Sequence, residues 1–257
     1  GPISSEALPM ALAPWALLPL VRGARTGSPL RAGLLAGGVL LFAGGVNGTA
    51  SLAILILPAL YLLTRTPGPR RRRLMGGWAA GVVLSTLWWV IPLLILSRVS
   101  PPFLDYIENA NVTSGMNSLV QVLRGTDHWL AYVAADGIPV WRAGWMLVTV
   151  PIVIAYTMVV AGTGLIGLAL RRIPERPFLV SGALIGFLLL TFCYDGPLSP
   201  PWAGLEQTLL DGPLAPLRNV HKFDPVLRVV LALGVAYALT RLFAWTRDRH
   251  GWGAVAP

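Results

Sequence analysis

One short segment concentrates the groups that could handle an anion. Arg218-Asn219-Val220-His221-Lys222-Phe223-Asp224-Pro225 places Arg218 and Lys222 four residues apart with His221 between them, and Arg228 follows one turn later. The chain has 20 basic residues, and Lys222 is the only lysine among them. An ammonium is a compact point charge that suits phosphate, whereas a guanidinium forms planar two-pronged contacts. The pattern therefore suits an anionic ligand such as a lipid phosphate, with Lys222, His221, Arg218 and Arg228 as its ligands. The competing reading is that these cations snorkel at a helix end. Asp224 before Pro225 has the form of a helix N-cap followed by a residue suited to the first turn.

Two further groups are candidates. Asp105 and Glu108 are three residues apart after Pro101-Pro102. On a helix they would share a face, and paired carboxylates can act as a general base or bind a hydroxylated substrate. Asp105 could equally be an acid favoured by a helix dipole. Thr126-Asp127-His128-Trp129 follows an expected helix stop at Gly125. Asp127, His128 and Trp129 are candidate substrate-binding residues, since an acid can orient an imidazole. Adjacent residues do not face each other on a helix, and Trp129 would also suit a membrane-interface belt. His128, His221 and His250 are far apart in sequence and make no metal cluster by spacing. There is no glycine-rich phosphate loop, no H-E-x-x-H and no C-x-x-C, and Cys193 is the only cysteine. No cofactor is evident. A divalent metal is compatible with the chemistry, but the spacing offers no site for one.

The elements that must hold these residues are apolar. Of 257 residues, 55% are hydrophobic and 12% charged, with a mean hydropathy of +0.67. A soluble domain carries about 25% charge, so an ordinary soluble enzyme, a disordered chain and a coiled coil are excluded. Seven apolar stretches run at about 7–21, 31–46, 50–64, 74–97, 143–170, 178–194 and 225–245. This predicts an all-α polytopic transmembrane bundle of about seven spans. Stretches 31–46 and 50–64 flank Asn47-Gly48-Thr49 and are short against the roughly 20 residues of a full crossing, so they form either two tight crossings or a re-entrant hairpin. Pro92 and Pro151 predict kinks.

Sorting the charges between the stretches sets the orientation. Fourteen bases fall in the connections at about 22–31, 65–73 and 171–177 and after the last span, together with Glu175 and Asp248. The other side holds six bases and nine acids, Glu6 among them. The positive-inside rule makes the first side cytoplasmic. The net charge of +9 therefore reflects topology, and nucleic acid is not an expected partner. Membrane lipid is one. The run Arg70, Arg71, Arg72 and Arg73 anchors topology at anionic lipid or meets an acidic soluble partner. Two long outer connections, about 98–142 and 195–224, are expected to carry interfacial helices at 102–109, 116–124 and 204–211 and no β structure. The span interiors are almost free of charge, which favours interfacial chemistry over the alternative, a transporter or lipid flippase.

Four stretches resemble a known family. They are Ile3-Ser-Ser-Glu-Ala-Leu-Pro-Met-Ala-Leu-Ala-Pro-Trp15, Gly44-Gly-Val-Asn-Gly-Thr-Ala50, Leu123-Arg-Gly-Thr-Asp-His-Trp129 and Leu217-Arg-Asn-Val-His-Lys-Phe-Asp-Pro225. The chain is similar along its length to the actinobacterial α-(1→3)-arabinofuranosyltransferase family. The resemblance implies a GT-C membrane glycosyltransferase. Such an enzyme moves arabinofuranose from a polyprenyl-phosphate donor to an arabinan acceptor, arabinogalactan or lipoarabinomannan, at the outer face of the plasma membrane. It further implies that this chain is an internal piece of the transmembrane core, inactive alone, whose main catalytic base lies in a preceding loop. Glu108 and Asp105 would then assist or bind the acceptor, and the 218–228 cations would bind the donor phosphate.

Overall fold

The computed structural model describes residues 4–250 apart from 46 and 102. Ile3 and Val46 of the motifs above, and the expected helix start at Pro102, lie outside the described residues. The chain is almost entirely helical. Helices α1 (Ser4–Arg25), α2 (Pro29–Gly38), α3 (Leu40–Ala43), α4 (Gly48–Thr64) and α5 (Pro69–Leu96) form the first half. The connection after α5 carries α6 (Ala110–Ser114), α7 (Leu119–Arg124) and a hairpin of β1 (Ala134–Ala135) and β2 (Ile138–Pro139). Helices α8 (Arg142–Thr149), α9 (Pro151–Ala169) and α10 (Arg176–Leu190) follow, then the short α11 (Ala203–Asp211) and the last helix, α12 (Asp224–His250).

Local chemistry sets the helix starts. Pro29, Pro69 and Pro151 each open a helix, where a missing N–H costs nothing. Asn47 accepts the Ala50 N–H at 3.0 Å and caps α4. Four helices are long and apolar enough to cross a membrane: α1, α5, α9 and α12. The continuous pair α2–α3, then α4 and α10, are apolar but shorter. α4 has 17 residues, or about 25 Å against the roughly 30 Å of a hydrocarbon core. Large apolar side chains face outward along α5 and α9, including Leu84, Leu94, Ile152 and Ile166. That is the surface expected of a bundle solvated by lipid.

Small residues let the helices approach. A Cβ at Gly33 or Gly37 would overlap the α5 backbone near Gly77 and Gly81, and one at Gly167 would overlap the carbonyl of Gly234 on α12. Such contacts drive helix association where lipid removes the usual hydrophobic force. The main core lies among α1, α4, α10 and α12 and includes Leu20, Leu57, Tyr61, Phe178, Leu227 and Val230.

The charge sorting is visible at the two ends of the bundle. Arg25 after α1 and Arg65 after α4 both pair with Glu175 before α10. Glu6 at the start of α1 meets residues from both long connections at the opposite, acid-rich end.

Four expectations are corrected. The stretch 143–170 is two helices, broken at Val150-Pro151, because the residue before proline is driven to extended backbone and Val150 sits at φ −88°, ψ 114°. The connection after α5 does contain β structure, a two-residue antiparallel hairpin turning at Asp136-Gly137, both with positive φ. The expected helix 102–109 is only a 3₁₀ turn, Phe103–Tyr106. Asp224 does not cap from extended backbone: it is helical at φ −49°, ψ −37°, and its carboxylate accepts from Arg228 Nε at 2.7 Å. Helix α11 lies where one was expected.

Candidate functional site

Three elements converge at the acid-rich end. The first turn of α1 presents Glu6. α7 stops at Gly125, which adopts φ 73°, ψ 38°, and the chain turns there to present Asp127, His128 and Trp129. A 3₁₀ turn, Val220–Phe223, presents His221 and Lys222 at the head of α12.

The convergence centres on the Glu6 carboxylate. One oxygen, Oε2, lies 3.1 Å from His221 Nε2 and 3.5 Å from His128 Nε2. The other, Oε1, lies 3.3 Å from Lys222 Nζ. The two imidazole rings stack with centroids 4.0 Å apart at 32°, and the Trp141 ring contacts His128 with centroids 5.3 Å apart. His221 is 2% exposed, and Lys222 and Glu6 are mostly buried.

The hydrogen bonds assign the protons. His128 Nδ1 accepts the Leu130 N–H at 3.3 Å, so in the neutral ring Nε2 carries the hydrogen and points it at Glu6. A carboxylate only accepts, so His221 Nε2 is likewise the donor, which leaves Nδ1 as an acceptor without a partner among the described residues. Glu6 thus pairs with His221 by hydrogen bond, while Lys222 Nζ at 3.3 Å and His128 Nε2 at 3.5 Å lie within ion-pair distance, and His128 Nε2 makes no hydrogen bond among the described residues.

Glu6, His128 and His221 are close enough together to be considered as ligands for a metal ion. The detailed geometry fits a cation poorly. His128 would have to ligate through the nitrogen that bears its proton in the neutral ring, and Lys222 already brings a positive charge to the carboxylate. Glu6 is the residue that spacing could not reveal, since it is remote in sequence from both histidines. Its one signal was an acid at the head of an apolar span.

The other candidates surround this cluster in distinct roles. Arg218, 4% exposed, donates to the carbonyls of Glu108 and Leu104 and lies 3.6 Å from Asp211. It ties the two long connections together. Asn219 bridges them again, donating to Glu108 Oε1 at 3.0 Å and accepting from Trp129 Nε1 at 3.2 Å. Glu108 is therefore held beside the cluster, while Asp105 is exposed on its 3₁₀ turn. The two carboxylates do not share a helical face, because no helix joins them. Arg228 donates to the carbonyls of Val122 and Leu123 at the end of α7. A Cβ at Gly125 would crowd that guanidinium, at 3.2 Å from its carbon. Asp127 is 2% exposed, and its Oδ2 has no hydrogen-bond partner among the described residues. Burial pushes its carboxyl up to about 8, nearby Asp224 adds to the rise, and Arg228 opposes it.

An apolar slot descends from this end. Asp224 and Arg228 stand at its head with Met10 and Pro14. Pro14, Val229 and Leu233 continue into a cavity of about 580 Å³ between α1 and α12, which ends near Glu175.

These features describe a polytopic α-helical membrane domain with a polar cluster at one end and an apolar slot leading from it. The chain belongs to the alpha-(1→3)-arabinofuranosyltransferase N-terminal GT-C domain family, whose model matches residues 1–255. It is 43% identical over 244 residues to the alpha-(1→3)-arabinofuranosyltransferase of Mycolicibacterium smegmatis, covering 94% of this chain and 17% of that protein. It is 43% identical over 245 residues to the enzyme of the same name from Mycobacterium tuberculosis, with the same coverage, 94% and 17%. The single-particle cryo-EM structure of the arabinofuranosyltransferase AftD from Mycobacteria aligns with a TM-score of 0.64 at 33% identity, over 93% of this chain and 14% of that one. The chain therefore spans about a sixth of the length of these curated relatives.

Proposed function

We propose that this chain forms the donor-binding part of a membrane arabinofuranosyltransferase. The enzyme would move arabinofuranose from a polyprenyl-phosphate donor to cell-wall arabinan at the outer face of the plasma membrane. Family membership supports the sugar transfer, and the single observation that carries the donor assignment is the buried Lys222–His221 pair on Glu6, in a chain segment that runs directly into Asp224 and Arg228 at the head of the apolar slot. In the transfer, the acceptor hydroxyl oxygen bonds to the sugar C1 and gives its proton to a base outside this segment, the bond between C1 and the phosphate oxygen breaks, and the leaving phosphate keeps the electron pair. Charge growing on that phosphate is stabilised by donors fixed in advance. Lys222 supplies an ammonium, and His221 and His128 supply ring N–H groups. Arg218 and Arg228 frame the site by holding the two connections in register. The slot between α1 and α12 receives the prenyl tail.

The acceptor approaches from the side of Glu108 and Asp105, whose carboxylates bind sugar hydroxyls, with Trp129 and Asp127 behind them. The positive-inside sorting supports an outward-facing site. At the opposite end, Arg70 and Arg71 donate to the carbonyls of Gly23, Gly27 and Leu62. That leaves Arg72 and Arg73 as the exposed pair that an acidic soluble partner would meet.

The test is Lys222→Met in the intact protein, with arabinose transfer from the polyprenyl donor as readout. The expected result is a loss of at least tenfold in kcat/KM, and wild-type kinetics would overturn the assignment.

A further inference from the structure

We propose that the Glu6 carboxylate is a resident anion that occupies the phosphate site of the unliganded protein. The incoming phosphate takes over the same three donors: His128 Nε2, His221 Nε2 and Lys222 Nζ. The proposal rests on the reading of Lys222 given above and goes beyond it, because it makes Glu6 a competitor of the donor.

Three observations lead to it. First, His221 Nε2, His128 Nε2 and Lys222 Nζ surround the Glu6 carboxylate at 3.1, 3.5 and 3.3 Å, and His128 Nε2, buried and without a hydrogen-bond partner among the described residues, is left for another acceptor. The Leu130 N–H that His128 accepts fixes one of those tautomers. A set of converging donors is an anion site, whether the acceptor is a carboxylate or a phosphate. Second, the set is mostly buried, with side chains 3% to 15% exposed. A buried ammonium and two imidazole N–H groups left without an acceptor would carry a desolvation penalty. A carboxylate supplied by the chain keeps the array assembled while no ligand is bound. Third, Glu6 lies in the first turn of α1, where the helix dipole favours negative charge. When displaced, it stays in an environment that tolerates its charge.

The consequence runs against ordinary intuition about buried ion pairs. Two anions cannot share one ammonium without repulsion, so removing the Glu6 charge strengthens phosphate binding, whereas loss of a merely structural group would weaken it.

The experiment uses the intact protein in nanodiscs, with binding measured separately for a polyprenyl phosphate and for inorganic phosphate. Glu6→Gln keeps the shape and removes the charge. It is expected to bind on the order of tenfold more tightly, about the effect of one relieved like-charge contact. Glu6→Asp, which keeps the charge on a shorter stem, should fall between it and the wild type. A gain for both probes identifies the phosphate itself as the ligand, and a gain for the lipid alone identifies a lipid-linked phosphate. Unchanged or weaker binding by Glu6→Gln, at an unchanged melting temperature, overturns the proposal. So does stoichiometric binding of Zn²⁺ that is lost in His128→Ala, which would make the cluster a cation site. Lys222→Met separates the two levels. If it weakens binding while Glu6→Gln fails to tighten it, only the resident anion falls. If it binds like the wild type, the phosphate reading of Lys222 falls as well.

Discussion

The imidazoles of His128 and His221 belong to different connections, yet they stack 4.0 Å apart and turn Nε2 to the same oxygen of Glu6. The Leu130 N–H bond to Nδ1 orients the His128 ring, and contacts with His221 and Trp141 restrict it further. Under the proposed function, His221, His128 and Lys222 would already be grouped when the phosphate replaces Glu6, so that little further ordering of the donors is needed.

His128→Phe separates ring packing from hydrogen bonding. Phenylalanine keeps a flat ring against His221 and Trp141 but offers no donor to Glu6 and no acceptor to Leu130 N–H. The expected result is a loss of about 1 kcal/mol of stability and a several-fold weaker affinity for a polyprenyl phosphate, read by thermal unfolding and by binding. Unchanged affinity would remove His128 from the phosphate site.

The bundle was legible in the sequence because membrane burial acts on long runs. Seven apolar stretches became seven apolar helices or helix pairs, and sorting the charges by connection anticipated that Arg25, Arg65 and Glu175 would meet at one end. The finer structure depended on features that hydropathy does not register. Val150 before Pro151 breaks one stretch in two, and Asp136-Gly137 turns a hairpin too short for alternation to show. The site was half legible. Arg218, Lys222 and Arg228 stood out as cations against the topology bias, with His221 among them. The structure shows Arg218 and Arg228 bonded to backbone carbonyls, a role that depends on which carbonyls the fold brings near. Glu6 could be recognised only once α1 had been placed against both connections.

Gly167→Leu tests the close approach of α9 and α12. Its side chain would collide with the Gly234 carbonyl, whereas Gly162 has open space around its Cβ position. Overpacking of this kind costs about 1–3 kcal/mol and sometimes more. Gly167→Leu should therefore lower the unfolding temperature in detergent markedly, while Gly162→Leu leaves it within a degree or two. Equal effects would mean that the contact does not hold the helices together.

Arg228→Met removes the link between α12 and the end of α7. The guanidinium serves two carbonyls and the Asp224 carboxylate at once, and its side chain is 28% exposed. Leaving those acceptors unpaired is expected to cost about 2–4 kcal/mol. Arg228→Lys should recover less than half of this, because one ammonium cannot span three acceptors arranged around a planar fork. Chemical denaturation of the three proteins provides the comparison, and full recovery by lysine would contradict the bonding geometry.

Asp127 gives the fold a pH dependence whose sign follows from its burial. The carboxyl rises from its ordinary 3.8 to about 8 in the folded protein, first because burial penalises the charged form and then because Asp224 is close. Between those values the folded state holds a proton that the unfolded state has released, so stability falls as pH rises. The contribution is fully present below about pH 4, is lost progressively through about pH 8, and changes little beyond. Asp127→Asn replaces the buried acid with a group that cannot ionise, so it should abolish this slope. The two proteins should unfold at similar temperatures near pH 4 or below. At pH 9 the variant should be the more stable, by an amount on the order of several kcal/mol if the full shift is expressed. Other groups titrate over the same range, so the informative quantity is the difference between the two proteins at each pH. Parallel curves from pH 5 to 9 would show that Asp127 is ionised in the fold, and the Asp224–Arg228 pair would then have to be screening its charge.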